Sequence, residues 1–210
     1  MVKENIILIG GGGHCRSVID VIESEDKYNI LGIVDANTTG TVMGYPVLGK
    51  DEVISSLVKV GNNFVITVGQ INSSDLRVKL YTKIKKLGGV FPVIVSPLAY
   101  VARTALIQEG TVILHHVLIN SNVKIGINNI INTGALIEHD TVVGSYNHIS
   151  TKVVINGGCE VKDNTFIGSG TIVNQEVKIE SKIVIGSGSL IRNSLMKEGL
   201  YSGSPIKLIK

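Results

Sequence analysis

His139 stands between two carboxylates, Glu138 and Asp140, in a stretch that otherwise spends its residues on Ile, Val, Gly and Ser. A neutral imidazole, with an unperturbed pKa near ~6.5, can take a proton from an attacking nucleophile at neutral pH. A carboxylate beside it can orient the ring and stabilise the imidazolium that forms. A second histidine, His148, follows nine positions later.

Another candidate lies near the start of the chain. The apolar run Ile6 to Ile9 ends in Gly10, Gly11, Gly12 and Gly13, and His14 opens the helical pattern that follows. Glycines between a strand and a helix let backbone N–H groups approach a phosphate at the positive end of the helix. The spacing is not a full GxGxxG, because Arg16 holds the position three after Gly13. Asp35, at the end of the second apolar run, is placed to accept hydrogen bonds from a ribose or a base. The same residues also fit a bare strand-to-helix turn and the first residue of a loop.

The elements that must position these groups are of two kinds. Up to residue 92, strand and helix patterns alternate. Ile6 to Ile9 is a strand, and a helix follows with Val18, Ile19, Val21 and Ile22 facing the sheet. A second strand ends at Asp35, a short strand and helix start lie in "YPVLGKDEVI", and a further strand runs from Phe64 to Val68. The next helix is capped at Asn72 or Ser73 and stopped by Gly88 and Gly89. The alternation predicts a small parallel α/β domain.

From 93 to 210 the pattern changes. Every sixth residue from Val95 to Ile191 is Val or Ile, and four places after each lies a mostly small or β-branched residue, with Asn129 and Asn147 as polar departures. Period six is neither helix nor continuous strand. It fits short strands turned through a triangle, each aliphatic residue stacking on its equivalent 18 residues on, which is a hexapeptide-repeat parallel β-helix. About five coils at ~4.8 Å each would stand roughly 25 Å tall. Gly126, Gly144, Gly168 and Gly186 directly follow inward residues, where a side chain would crowd the corner. His139 lies two after the inward Ile137, so it is expected on the outside.

Composition narrows the classes. The 20 basic and 17 acidic side chains are mixed along 210 residues, and aromatics make up 4%, which argues against nucleic acid as a partner. Cys15 and Cys159 lie far apart with no CxxC or CxxH spacing, which fits a reducing cytoplasm and suggests no structural zinc. No stretch reaches the ~18 apolar residues of a spanning helix, so a soluble protein with no membrane partner is expected.

Through "GGGGHC", "YPVLGKD", "IEHD", "HISTKVVINGG" and "SGSPIKLI" the whole chain resembles the sialic acid O-acetyltransferase and nucleotide-amino-sugar N-acetyltransferase family. The resemblance implies a Rossmann-like domain before a left-handed β-helix, a homotrimer, and an acetyl-CoA site between neighbouring protomers. It assigns the general base to His139 and its support to Asp140. The family often has Glu at that position, and the shorter side chain leaves open whether it reaches the ring directly or through water.

By the same resemblance His148 contacts the thioester region and donates to the carbonyl oxygen as charge develops there. Gly168, Ser169, Gly186 and Ser187 flank the pantetheine arm, Lys207 meets a CoA phosphate, and the closing tail folds over the last coil. Gly11, Gly12, Gly13, His14 and Asp35 face the sugar substrate. The expected activity is N-acetylation of the 4-amino group of a nucleotide-linked deoxysugar, with O-acetylation of a sialic acid as the alternative and no metal involved. Two other classes stay open: a γ-carbonic-anhydrase-like zinc site drawing on His115, His116, His139 and His148, and a protein that binds nucleotide sugar without turnover.

Overall fold

The computed structural model describes residues 3–210. The first domain is a five-stranded sheet in the order β3-β4-β2-β1-β5, with β1 Glu4–Ile9, β2 Tyr28–Val34, β3 Thr41–Val42, β4 Tyr45–Gly49 and β5 Asn63–Ile66. β1, β2, β4 and β5 run parallel, and β3 pairs antiparallel with β4. That hairpin turns at Met43 and Gly44, both at positive φ, and β3 is absent from the sequence pattern because two residues carry no periodicity.

Helix α1, Gly13–Glu25, buries Val18, Ile19, Val21 and Ile22 against one face, as their spacing predicts. Helices α2, Ile54–Lys59, and α3, Asp75–Lys86, cover the other face with Leu80, Tyr81 and Ile84. Two boundaries differ from the pattern. β5 stops at Ile66, because Thr67 turns its hydroxyl to the Gly10 carbonyl and Val68 gives its carbonyl to Arg77. The N-cap of α3 is Ser74, whose hydroxyl reaches Asn164 instead of the helix; Ser73 accepts the Asp75 N–H. After Lys86 the chain ends the helix through Gly88 N–H to the Lys85 carbonyl and Gly89 N–H to the Ile84 carbonyl, with Gly88 at φ +92°.

From Ile94 the chain winds as a left-handed parallel β-helix with no inserted loops and three faces, the first carrying Leu118–Ile119 and its equivalents every 18 residues, the second Lys124–Ile125 and the third Ile130–Ile131. Each strand pairs in parallel with the one 18 residues on, for example Leu118 with Leu136 and Ile130 with His148. Every sixth residue from Ile113 to Ile191 is buried in one continuous core. Asn129 and Asn147 form an internal amide ladder: Asn129 Oδ1 accepts the Asn147 N–H, and Asn147 Oδ1 accepts the Thr165 N–H. Asn129 Nδ2 also donates to the Gly126 and Gly144 carbonyls, which offsets the cost of its burial, whereas Asn147 Nδ2 is left without a partner among the described residues.

The turns are as regular as the core. Every sixth residue from Gly110 to Gly188 has φ between +54° and +71°. Gly, Asn and Asp fill many of these places, but so do His116, Tyr146, Lys152, Glu176 and Lys182. Stacking on the neighbouring coils holds them there against a local preference of roughly 1–2 kcal/mol each. The tail closes the far end: Gly199–Ser202 extends the third face, Lys207–Leu208 reverses against it, and Leu195 and Tyr201 join the core.

The α/β domain leans on the third face. Ile94, Val112 and Leu114 share a core with α1, so the two domains are welded by apolar contact. No helix among the described residues is long and apolar enough to cross a membrane.

Candidate active site

In a strand, adjacent side chains point to opposite faces. His139 and Asp140 face each other because the chain turns there, with Asp140 at φ +60°, a conformation Asp tolerates better than most residues. Asp140 Oδ2 lies 2.8 Å from His139 Nδ1, so the shorter carboxylate reaches the ring directly. Its other oxygen accepts from Asn122 in the coil below, at 3.2 Å. The hydrogen bonds from His139 and then Asn122 hold the Asp140 carboxyl below the usual carboxylate range. Glu138 is turned away to Asn120 Nδ2, at 2.8 Å, and to the His139 backbone N–H.

An ionised carboxylate can only accept, so Nδ1 carries a proton, and in the neutral ring the lone pair is on Nε2. Nε2 faces a cleft of about 650 Å³ lined by Glu138, Asp140, Asn156, Gly157, Glu176 and their neighbours. Gly157 was not singled out by the sequence, yet it sits one coil above His139 at the same phase of the hexad. A Cβ there would lie 2.7 Å from Cε1 and 2.8 Å from Nε2 of the ring. The signal was available as the residue 18 positions on from the histidine. Gly157→Ala is expected to push the imidazole aside and lower kcat/KM by about 10- to 100-fold, the scale of a displacement near 1 Å. Unchanged kinetics in that variant would mean that the ring position is not set by this contact.

The glycine turn divides its labour. Gly10, at φ +113°, packs where a Cβ would strike Val68, and Gly11 packs on Thr38. Gly12 and Gly13 face open space at the start of α1, with no side-chain cap. Asp35 has a first task other than a ribose: Oδ2 accepts the Gly11 N–H at 2.7 Å, and Oδ1 accepts those of Asn37 and Thr38. Burial pushes its pKa up, and these bonds outweigh it and leave the carboxyl below its ordinary value.

His14 and His148 meet at the joint between the domains, ring centres 6.5 Å apart. Burial, helped by Arg77 and His148, lowers the His14 pKa to about 3, and its Nε2 has no partner among the described residues. Burial likewise brings His148 to about 4. His148 Nδ1 donates to the Gln70 carbonyl at 2.7 Å, and Nε2 accepts from Asn132 at 3.1 Å. Both nitrogens are therefore engaged, and the N–H expected to meet a thioester carbonyl is spent on Gln70.

The joint is bolted by a residue that the sequence pattern leaves unnoticed. Arg77 on α3 is 1% exposed and has no carboxylate partner among the described residues. It donates to the carbonyls of Ile66, Val68 and Asn128 and to the Asn128 side chain. Burial lowers its pKa to about 9, which still leaves it charged at neutral pH.

Ser169 and Ser187 project at the corner after the third face, stacked as their spacing predicts; Ser169 bonds Ser150 at 2.9 Å. The N–H groups of Gly168 and Gly186 bond the Ile185 and Tyr201 carbonyls between coils. A Cβ on Gly168 would lie 2.5 Å from Ser187 N, so these glycines let the coils stack. Lys207 is exposed on the reversed tail strand. His139 lies at the corner after the first face, so one chain does not bring it together with His148, Ser169 or Ser187. His115 bonds Asp20 and Ser96, each at 2.6 Å, and the described residues hold no cluster of three or more metal-ligating side chains.

A histidine held by a carboxylate on the corner of a hexapeptide β-helix, with an open glycine turn on an attached α/β domain, defines a β-helix acyltransferase. Residues 5–84 match the PglD N-terminal domain family. PerB from Caulobacter crescentus, in complex with CoA and GDP-perosamine, is 30% identical, covering 100% of this chain and 99% of that one, with a TM-score of 0.92. Perosamine N-acetyltransferase from the same organism, with one histidine replaced and the same two ligands bound, is 29% identical over 100% and 98% of the chains, with a TM-score of 0.93. The acetyltransferase domain of PglB from Neisseria gonorrhoeae is 25% identical over 99% and 100%, with a TM-score of 0.93. No curated protein sequence matches the chain. The chain belongs to the hexapeptide-repeat sugar acetyltransferases.

Proposed function

We propose that the protein transfers the acetyl group of acetyl-CoA to the 4-amino group of a nucleotide-linked amino-deoxysugar, with His139 as general base. The observation that carries this is the His139 ring, held by Asp140 at Nδ1 with Nε2 open to the cleft. The acceptor amine attacks the thioester carbonyl, forming the N–C bond, and its proton passes to Nε2. As the C–S bond breaks, the imidazolium returns that proton to the CoA sulfur. Asp140 stabilises the charged ring between the two transfers.

The similarity to enzymes solved with CoA and GDP-perosamine supports both substrates. Acetyl-CoA runs along the corner of Ser169 and Ser187 towards His148, with Lys207 near a phosphate, and the nucleotide sugar lies at Gly12, Gly13 and His14. The assembly is a homotrimer. Two features support it: these groups lie on different corners of one chain, and the first face carries an outward apolar ladder of Tyr100, Leu118, Leu136, Val154, Ile172 and Leu190. Two free cysteines support a cytoplasmic setting in surface-glycan synthesis.

Transfer of labelled acetyl from acetyl-CoA to UDP-, dTDP- or GDP-linked 4-amino sugars, followed by mild alkali, tests the bond formed. An amide keeps the label. Release of the label would show an ester and move the activity to a hydroxyl acceptor.

A further inference from the structure

We propose that Glu176 is a specificity-determining residue, whose carboxylate receives the acceptor amino group in its protonated form and so selects an amine over a hydroxyl. The proposal rests on the reading of the site as an N-acetyltransferase. Its basis is the vertical order of the cleft.

Residues 139 and 140 carry the base and its carboxylate, residues 157 and 158 one coil above are both glycine, and residues 175 and 176 in the next coil are Gln and Glu. Two missing side chains open a notch one coil, about 5 Å, high. A Cβ on Gly158 would lie 3.4 Å from the Glu176 Cγ, so the stem of Glu176 hangs over Gly158, in the column of Asp140, and lines the same cleft as His139.

The three carboxylates of the cleft differ in what they already hold. Glu138 is bonded by Asn120 and the His139 N–H, and Asp140 by His139 and Asn122. Glu176 is exposed, and among the described residues its side chain has no hydrogen-bond or ion-pair partner. No lysine or arginine lines the cleft. The notch thus holds a carboxylate with no partner and no competing cation, and it favours a positively charged group.

An alkyl amine enters mostly as the ammonium at neutral pH, whereas a hydroxyl enters neutral. Glu176 holds the R–NH3+ group by a charge-assisted hydrogen bond. One proton leaves to solvent, R–NH2 attacks the thioester carbon, and the second proton goes to His139 Nε2 and from there to the CoA sulfur. The products are the amide, CoA thiol and one released proton.

The test compares full-length wild type with Glu176→Gln. With a nucleotide-linked amino sugar that the wild type turns over, the KM for the sugar should rise about 5- to 30-fold, the loss of a charged hydrogen bond discounted for solvent exposure, while kcat moves far less. Calorimetric binding of the analogue with hydroxyl in place of the amine should be the same for both proteins. An unchanged KM, or an equal loss of the hydroxyl analogue, overturns the role of Glu176 while leaving the transferase reading intact. Absence of turnover by the wild type on every amino sugar overturns that reading itself, and this inference with it.

Discussion

His139→Ala is expected to lower kcat/KM by about 10²–10⁴-fold, the range for loss of a positioned general base. The effect falls on kcat, because the proton moves in the transition state and the ring is not the main contact with either substrate. Melting temperature should stay close to wild type: the His139 side chain is 60% exposed, and its one side-chain partner, Asp140, remains hydrated without it. Asp140→Asn should give a smaller loss than His139→Ala, since the base survives without its anchor. Full activity in His139→Ala would place the proton acceptor elsewhere.

The second large effect is on stability. Arg77→Ala leaves the carbonyls of Ile66, Val68 and Asn128 facing a buried gap where a guanidinium had satisfied them. Leaving three buried carbonyls without their donor, at about 1–3 kcal/mol each and partly offset by removal of an unpaired buried charge, costs about 3–5 kcal/mol. At roughly 2–4 °C per kcal/mol for a chain of this size, thermal unfolding should move down by about 6–20 °C. Arg77→Lys should recover only part of this, since an ammonium cannot span acceptors on both domains with one planar fork. A fall of less than about 2 °C in Arg77→Ala would mean that water takes over the arginine's bonds and that the joint is held by its apolar core.

These two residues also mark what a sequence can show. The β-helix was legible because stacking demands an inward aliphatic residue at every sixth position, and the chain supplies it from Val95 to Ile191. His139 was legible through its phase two residues past Ile137, which puts it outside, and through its flanking carboxylates. The choice of Asp140 over Glu138 came from the family resemblance and not from the local pattern, because it depends on the turn at Asp140 and on Asn120 holding Glu138. Gly157 escaped notice because its contribution is the absence of a side chain beside a ring 18 residues earlier.

Arg77 was hidden for another reason. In "DLRVKLYTKIKK" it reads as one of several cations on a solvated helix face. Its burial depends on where the turn at Asn128 settles, a contact between domains that no local pattern records. The same holds for positive φ at Tyr146, Lys152 and Glu176, where the coil above and below decides the backbone against local preference. Asp35 shows the converse: its position at a strand end was legible, but three backbone donors claim its carboxylate first.

The central claim is acetyl transfer from acetyl-CoA to a nucleotide-linked amino sugar. It is tested most directly by CoA release from the wild-type protein with UDP-, dTDP- and GDP-linked 4-amino sugars set beside free and CMP-linked sialic acids. The account predicts release with at least one of the amino sugars and background rates with the sialic acids. Release with sialic acids alone, or with no acceptor in the set, would contradict it.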